Sequence, residues 1–130
     1  MSFGEPQFLT RRQVARLHDL GLARHGGSAG VRDEGMVDSA LASAQNAFLY
    51  GGGDLFDIAA AYAFHLAEAQ AFLDGNKRVA VAAALTFLEV NGITWLPDDS
   101  ELYDAMIDIA NKRLTKLGLA DLLRRHGRQP

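Results

Sequence analysis

The chain has 130 residues, of which 48% are apolar and 22% charged, and its formal net charge is −3. That length and apolar fraction suit one packed domain over residues 1–130 and exclude a disordered chain. The lack of cysteine excludes disulfide scaffolds, thiol nucleophiles and cysteine-based zinc sites, and the mild acidity argues against a nucleic-acid surface.

Alanine occurs 21 times and leucine 18 times, against 14 for valine, isoleucine and threonine together. This balance favours helices over sheets, and the glycines then act as punctuation between about six helices. The first is predicted from Thr10 to Arg24, with Thr10 and Gln13 as a capping box and Val14, Leu17 and Leu20 as its apolar stripe. The second starts near Asp33, an N-cap, and lines up Met36, Val37, Ala40, Leu41 and Ala44. The third starts near Asp54 and carries Leu55, Ile58, Ala59, Tyr62 and Leu66. Between the second and third, Gly51-Gly52-Gly53 lacks the Lys-Ser/Thr of a phosphate loop. It reads as a flexible connection bordering the cleft.

The fourth helix is expected from Asn76 to Asn91, with Gly92 as its C-cap. Val79 to Leu88 holds no charge, which places this helix in the middle of the bundle. Ile93 to Leu96 reads as a short extended stretch ended by Pro97. The fifth helix begins near Asp98, where Asp98 and Glu101 fit a capping box, and the last runs from about Thr115 to His126. No apolar run is long enough to span a membrane, and the first ten residues lack the pattern of a secretory signal. The expectation is a soluble cytoplasmic protein with an all-α fold.

Chemistry concentrates between helices three and four, in Gln70-Ala71-Phe72-Leu73-Asp74-Gly75-Asn76-Lys77-Arg78. Asp74-Gly75 is a turn signal and Asn76 a good N-cap. Lys77 and Arg78 then fall in the first turn of a helix, the end where the dipole disfavours cations. Two cations beside unpaired backbone N–H groups form an anion site, and phosphate is the natural anion. Asp74 adds a carboxylate that could hold a divalent metal bridging phosphates. The competing reading is a capped helix whose Lys and Arg point to solvent.

This segment resembles the motif of the Fic/Doc superfamily, His-x-Phe-x-(Asp/Asn)-(Gly/Ala)-Asn-(Lys/Gly)-Arg, and Lys77 resembles the Doc branch. Leu17-His18-Asp19, Arg24-His25-Gly26-Gly27, Gly30 to Gly35, Ser39-Ala40-Leu41 and Leu88 to Gly92 are similar to flanking family segments. The resemblance spans nearly the whole chain and implies a compact all-α Fic-type bundle. It implies a toxin of a toxin–antitoxin module that transfers a phosphoryl group from ATP to elongation factor Tu, neutralised by a Phd-like antitoxin. By the same resemblance Asp74 would bind Mg²⁺, while Gly75, Asn76, Lys77 and Arg78 would hold the phosphates. Phe72 would anchor the loop in the core.

One position departs from the motif. Gln70 stands where the family has its catalytic histidine, and glutamine cannot act as a general base. Its origin and the chain's own activity stay open, as do two rivals: a non-catalytic nucleotide-binding protein and a Fic-type nucleotidyl transferase. His65, five residues earlier, reads as a packed histidine rather than a substitute base. His18, Asp19 and His25 lack the paired spacing of a metal site. Arg32-Asp33 reads as the cap of helix two, bracing the glycine-rich loop. The acidic stretch Asp98–Asp108 and the basic stretch Lys112–Arg128 read as solvated faces.

Overall fold

A computed structural model describes residues 5–127; the first four residues, part of the stretch read against a secretory signal, and Arg128 of the basic stretch lie outside it. It has six helices: α1 Arg11–His25, α2 Glu34–Leu49, α3 Leu55–Ala69, α4 Asn76–Val90, α5 Asp99–Ala110 and α6 Lys116–Gly127. Among the described residues there is no strand, only an isolated antiparallel bridge between Val31 and Phe72. The all-α expectation therefore holds, and Ile93–Leu96 remains an unpaired connection. Among the described residues no helix is long and apolar enough to cross a membrane.

The helix starts follow local chemistry. Thr10 and Gln13 form the expected capping box, and Asp33 accepts from the Met36 N–H. Asp54 and Asp57 form a second box at the start of α3. Asp98 makes only half of the expected box, accepting from the Glu101 N–H. The Glu101 carboxylate pairs instead with His126 Nε2 at 2.9 Å, so a contact between α5 and α6 replaces the local return bond.

The start of α4 corrects the sequence reading. Gly75, not Asn76, is the N-cap, with φ 76° and no side-chain cap. Asn76 is already the first helical residue and is buried. At the other end Asn91 is the C-cap, and Gly92, at φ 91°, is the left-handed residue after it. The triple glycine is also reassigned. Gly51, Gly52 and Gly53 turn the chain by donating to Asn46, Phe48 and Ala47, and none of them lines the cleft described below.

α4 was expected to be the middle helix, and it packs against α1, α3 and α5. α3 is at least as central, touching α2, α4, α5 and α6. Every residue from Ile58 to Ala63 is buried, because a run rich in alanine lets neighbouring helices approach from several sides. Tyr62 is the largest residue there, and its hydroxyl is satisfied by the Leu9 N–H at 2.9 Å.

α6 is clamped to the start of α3 by Arg124. Its guanidinium contacts Asp54 at 2.9 Å, Asp57 at 3.0 Å and Asp121 at 2.6 Å. Burial pushes the Asp54 carboxyl up, but the Arg124 bond and the Asp57 N–H outweigh it and bring it down to about 2. A depressed carboxyl stabilises the fold above its unfolded value near 3.8 and loses that contribution as pH falls towards 2. We therefore expect stability to drop between about pH 4 and 2. Arg124→Leu should cost about 1–2 kcal/mol at neutral pH, since solvent screens the half-exposed Asp54, and should flatten this acid limb. Urea melts of both chains at several pH values check it.

Candidate active site

The six residues singled out, Gln70, Asp74, Gly75, Asn76, Lys77 and Arg78, line one cleft of about 490 Å³. Residues distant in sequence close it: His25, Gly26 and Gly27 at the C-terminal end of α1, and Tyr103 on α5.

The loop between α3 and α4 is pinned by backbone bonds. The Ala71 carbonyl accepts from the N–H groups of Arg32 at 2.7 Å and Asp33 at 3.1 Å, and the Leu73 N–H donates to the Gly30 carbonyl at 3.1 Å. Asp33 thus caps α2 as expected, while the backbone bonds of Arg32 and Asp33 brace the α3–α4 loop rather than the glycine-rich one. Between these anchors Phe72 points into the core, only 2% exposed.

The buried Asn76 holds the loop from below. Its Oδ1 accepts from the Phe72 N–H at 3.1 Å, and its Nδ2 donates to the Phe72 carbonyl at 3.0 Å. Its side-chain amide is thus committed to the loop. What it offers the cleft is its backbone N–H, which like those of Lys77 and Arg78 has no partner among the described residues.

His18 holds the loop from α1, a role the sequence did not reveal. Its ring stacks on Phe72 with centroids 3.9 Å apart, and Nε2 lies 2.7 Å from the Asp74 carbonyl. A carbonyl only accepts, so Nε2 carries the proton. The available signal was a histidine one turn beyond Val14, on the buried face of α1. His18→Phe keeps an aromatic stack and deletes the bond. We expect it to cost about 1–2 kcal/mol of stability, read by thermal melting beside the unaltered chain.

Asp74 is oriented by two backbone donors, Gly75 N–H to Oδ1 at 2.8 Å and Ser28 N–H to Oδ2 at 3.2 Å. The glycine-rich turn comes close: a Cβ on Gly27 would lie 2.8 Å from Asp74 Oδ2, and Gly27 has φ +121°. No group of three or more His, Cys, Asp or Glu side chains able to hold a metal occurs among the described residues. Asp74 alone fits a Mg²⁺ that takes one protein carboxylate and fills its remaining positions with phosphate oxygens and water.

Lys77 and Arg78 are half-buried and make no ion pair among the described residues. Free cations, unpartnered helix N–H groups and one carboxylate give a cleft that can accept a polyanion carrying a divalent metal. Arg78 lies over the Tyr103 ring, 4.1 Å from its centroid.

Gln70 is the C-cap of α3 and sits in the left-handed region at φ 52°, ψ 39°. Its side chain is exposed; Nε2 donates to the Ala67 carbonyl at 2.8 Å, and Oε1 lies 3.5 Å from Asn76 Nδ2. It stands at the junction with a second cavity of about 540 Å³ that shares Gln70 and Lys77. Phe64, Met106, Ile109 and Leu114 make that cavity largely apolar. His65 lines neither space. Its Nε2 lies 3.2 Å from Lys116 Nζ, and burial followed by the Lys116 charge pushes its pKa down. This is the packed histidine the sequence suggested.

The family model of the Fic/DOC family matches residues 8–88. Protein kinase doc of Escherichia phage P1 is 33% identical over 118 residues, covering 90% of this chain and 93% of its own. Toxin Doc of Mycolicibacterium smegmatis is 41% identical over 113 residues, covering 85% of this chain and 82% of its own.

Proposed function

This chain belongs to the Fic/DOC family, and on that premise we propose that it is a Doc-like toxin scaffold that binds Mg-ATP and is built for phosphoryl transfer to a protein hydroxyl. The observation that carries the reading is the cleft itself. Two cations without an ion pair among the described residues, Lys77 and Arg78, face it from a helix start where they cost stability unless an anion joins them. The names of the two relatives, a protein kinase and a toxin, support the same direction.

In this reading the N–H groups of Asn76, Lys77 and Arg78 and the two side-chain cations hold the phosphates. The left-handed turn at Gly75 lets the backbone approach them. Asp74 takes the Mg²⁺, which when bound would neutralise charge between neighbouring phosphates. The apolar cavity beyond Gln70 is the space beside the cleft that suits a flat, apolar group such as a base. The target hydroxyl oxygen would bond to the γ-phosphorus beside position 70 as ADP leaves, its proton passing to water or to a phosphate oxygen because Gln70 cannot take it. Elongation factor Tu is the proposed target and a Phd-like antitoxin the proposed neutralising partner. A cytoplasmic location goes with both.

A second reading is favoured by Gln70: a nucleotide-binding protein that keeps the cradle without the chemistry. Calorimetry with Mg-ATP and labelling of elongation factor Tu separate these. Binding with transfer of ³²P from the γ position supports the first. Binding without transfer, even after base replacement, supports the second. Label from the α position would mean nucleotidyl transfer, and no Mg-ATP binding would remove the cradle altogether.

A further inference from the structure

Arg78 is a guanidinium in the first turn of α4 without a carboxylate partner among the described residues. Left alone, it would be driven outward by the helix dipole and would sample many rotamers. Its observed partner is the half-buried Tyr103 ring on α5, centred 4.1 Å from the guanidinium carbon. Tyr103 lines both the cleft and the smaller cavity between α1, α4 and α5.

We propose that Tyr103 is the positioning residue for Arg78, holding its guanidinium by one face so that its edge donors stay turned to the cleft. The assignment rests on the phosphate reading above. An aromatic partner differs from an acid in what it leaves free. A carboxylate would occupy two donors and cancel the charge, whereas a ring occupies only the flat face. The stack fixes the plane of a group whose use depends on planar, two-donor recognition of phosphate oxygens. Asp99 also borders the smaller cavity, yet makes no ion pair with Arg78. Tyr103 acts through Arg78 and has no assigned contact with the ligand.

The test is a double-mutant cycle read by Mg-ATP calorimetry. Tyr103→Leu and Tyr103→Gln each remove the ring at a half-exposed position, so at least one should fold. We expect either to weaken Mg-ATP binding by about 3- to 30-fold, and Tyr103→Phe to retain most of the affinity. In an Arg78→Leu background, Tyr103→Leu should cost nothing further. A spectroscopic arm needs no nucleotide. The Arg78 Nε–H resonance should carry a ring-current shift that Tyr103→Phe keeps and Tyr103→Leu abolishes.

Unchanged binding in both ring-less variants would overturn the assignment, as would a full-sized Tyr103 effect that persists without Arg78. So would an Arg78 resonance indifferent to the ring. Failure of the unaltered chain to bind Mg-ATP would sink the phosphate reading and this assignment together. Binding that ignores Tyr103 sinks the assignment alone.

Discussion

Replacing Gln70 with histidine is expected to turn the chain into one that arrests bacterial growth and labels elongation factor Tu from γ-³²P-ATP, with transfer faster by about 10²–10⁴-fold. On the proposed reading, the cleft around position 70 already has its other parts. Lys77, Arg78 and Asp74 line it, and Gln70 is exposed at its junction with the apolar cavity. The backbone poses no obstacle. Gln70 occupies the left-handed region, where histidine is among the better tolerated residues. Glutamine holds its place through a bond to the Ala67 carbonyl, which an imidazole N–H can also seek, and a long one from Asn76 Nδ2. What glutamine lacks is a site that takes a proton near neutral pH. The substitution should therefore change rate far more than stability, and more than Mg-ATP affinity. The pH profile of the histidine variant should rise through the imidazole range, because only the neutral ring can accept the proton. If the unaltered chain labels the target as fast as Gln70→His, positioning and charge neutralisation suffice without a base.

The sequence revealed what depends on near neighbours. Thr10, Asp33, Asp54 and Asp98 are legible as helix starts because each cap is satisfied three residues away. The motif from Gln70 to Arg78 is legible for the same reason, being contiguous. Three features were not, and each rests on a partner far along the chain. His18 meets Asp74 across 56 positions. Arg78 meets Tyr103, which no helical spacing links. Glu101 leaves its capping box for His126 on α6. The misplacement of the α4 start has a local origin instead, a partner only four residues away. Asparagine is a favoured N-cap, but here its amide has a better use in clamping the loop.

That clamp carries the largest expected effect on stability. Asn76→Ala should cost about 2–4 kcal/mol, which lowers the melting temperature by roughly 10 °C for a domain of this size. Both backbone groups of Phe72 are buried, and among the described residues each finds its partner only in the Asn76 amide. Alanine would leave a donor and an acceptor unsatisfied in the core, and each carries a desolvation penalty. Asn76→Asp separates the two. It keeps an acceptor for the Phe72 N–H and sets a carboxylate oxygen against the Phe72 carbonyl, so at neutral pH it should be at least as damaging. Protonation would restore a donor, and a carboxyl set against a carbonyl takes its proton above the free range, so its deficit relative to the unaltered chain should shrink as pH falls towards about 4. Melts of the three chains at pH 7 and pH 4 check this. A melting temperature within two or three degrees of the unaltered chain for Asn76→Ala would show that water or a loop shift satisfies Phe72 instead. The contrast with the cations is mechanistic. Lys77→Ala and Arg78→Ala remove charge from an unfavourable helix end and should leave stability level or higher while weakening anion binding. Loss of Asn76 should remove the cradle by loosening the loop that builds it.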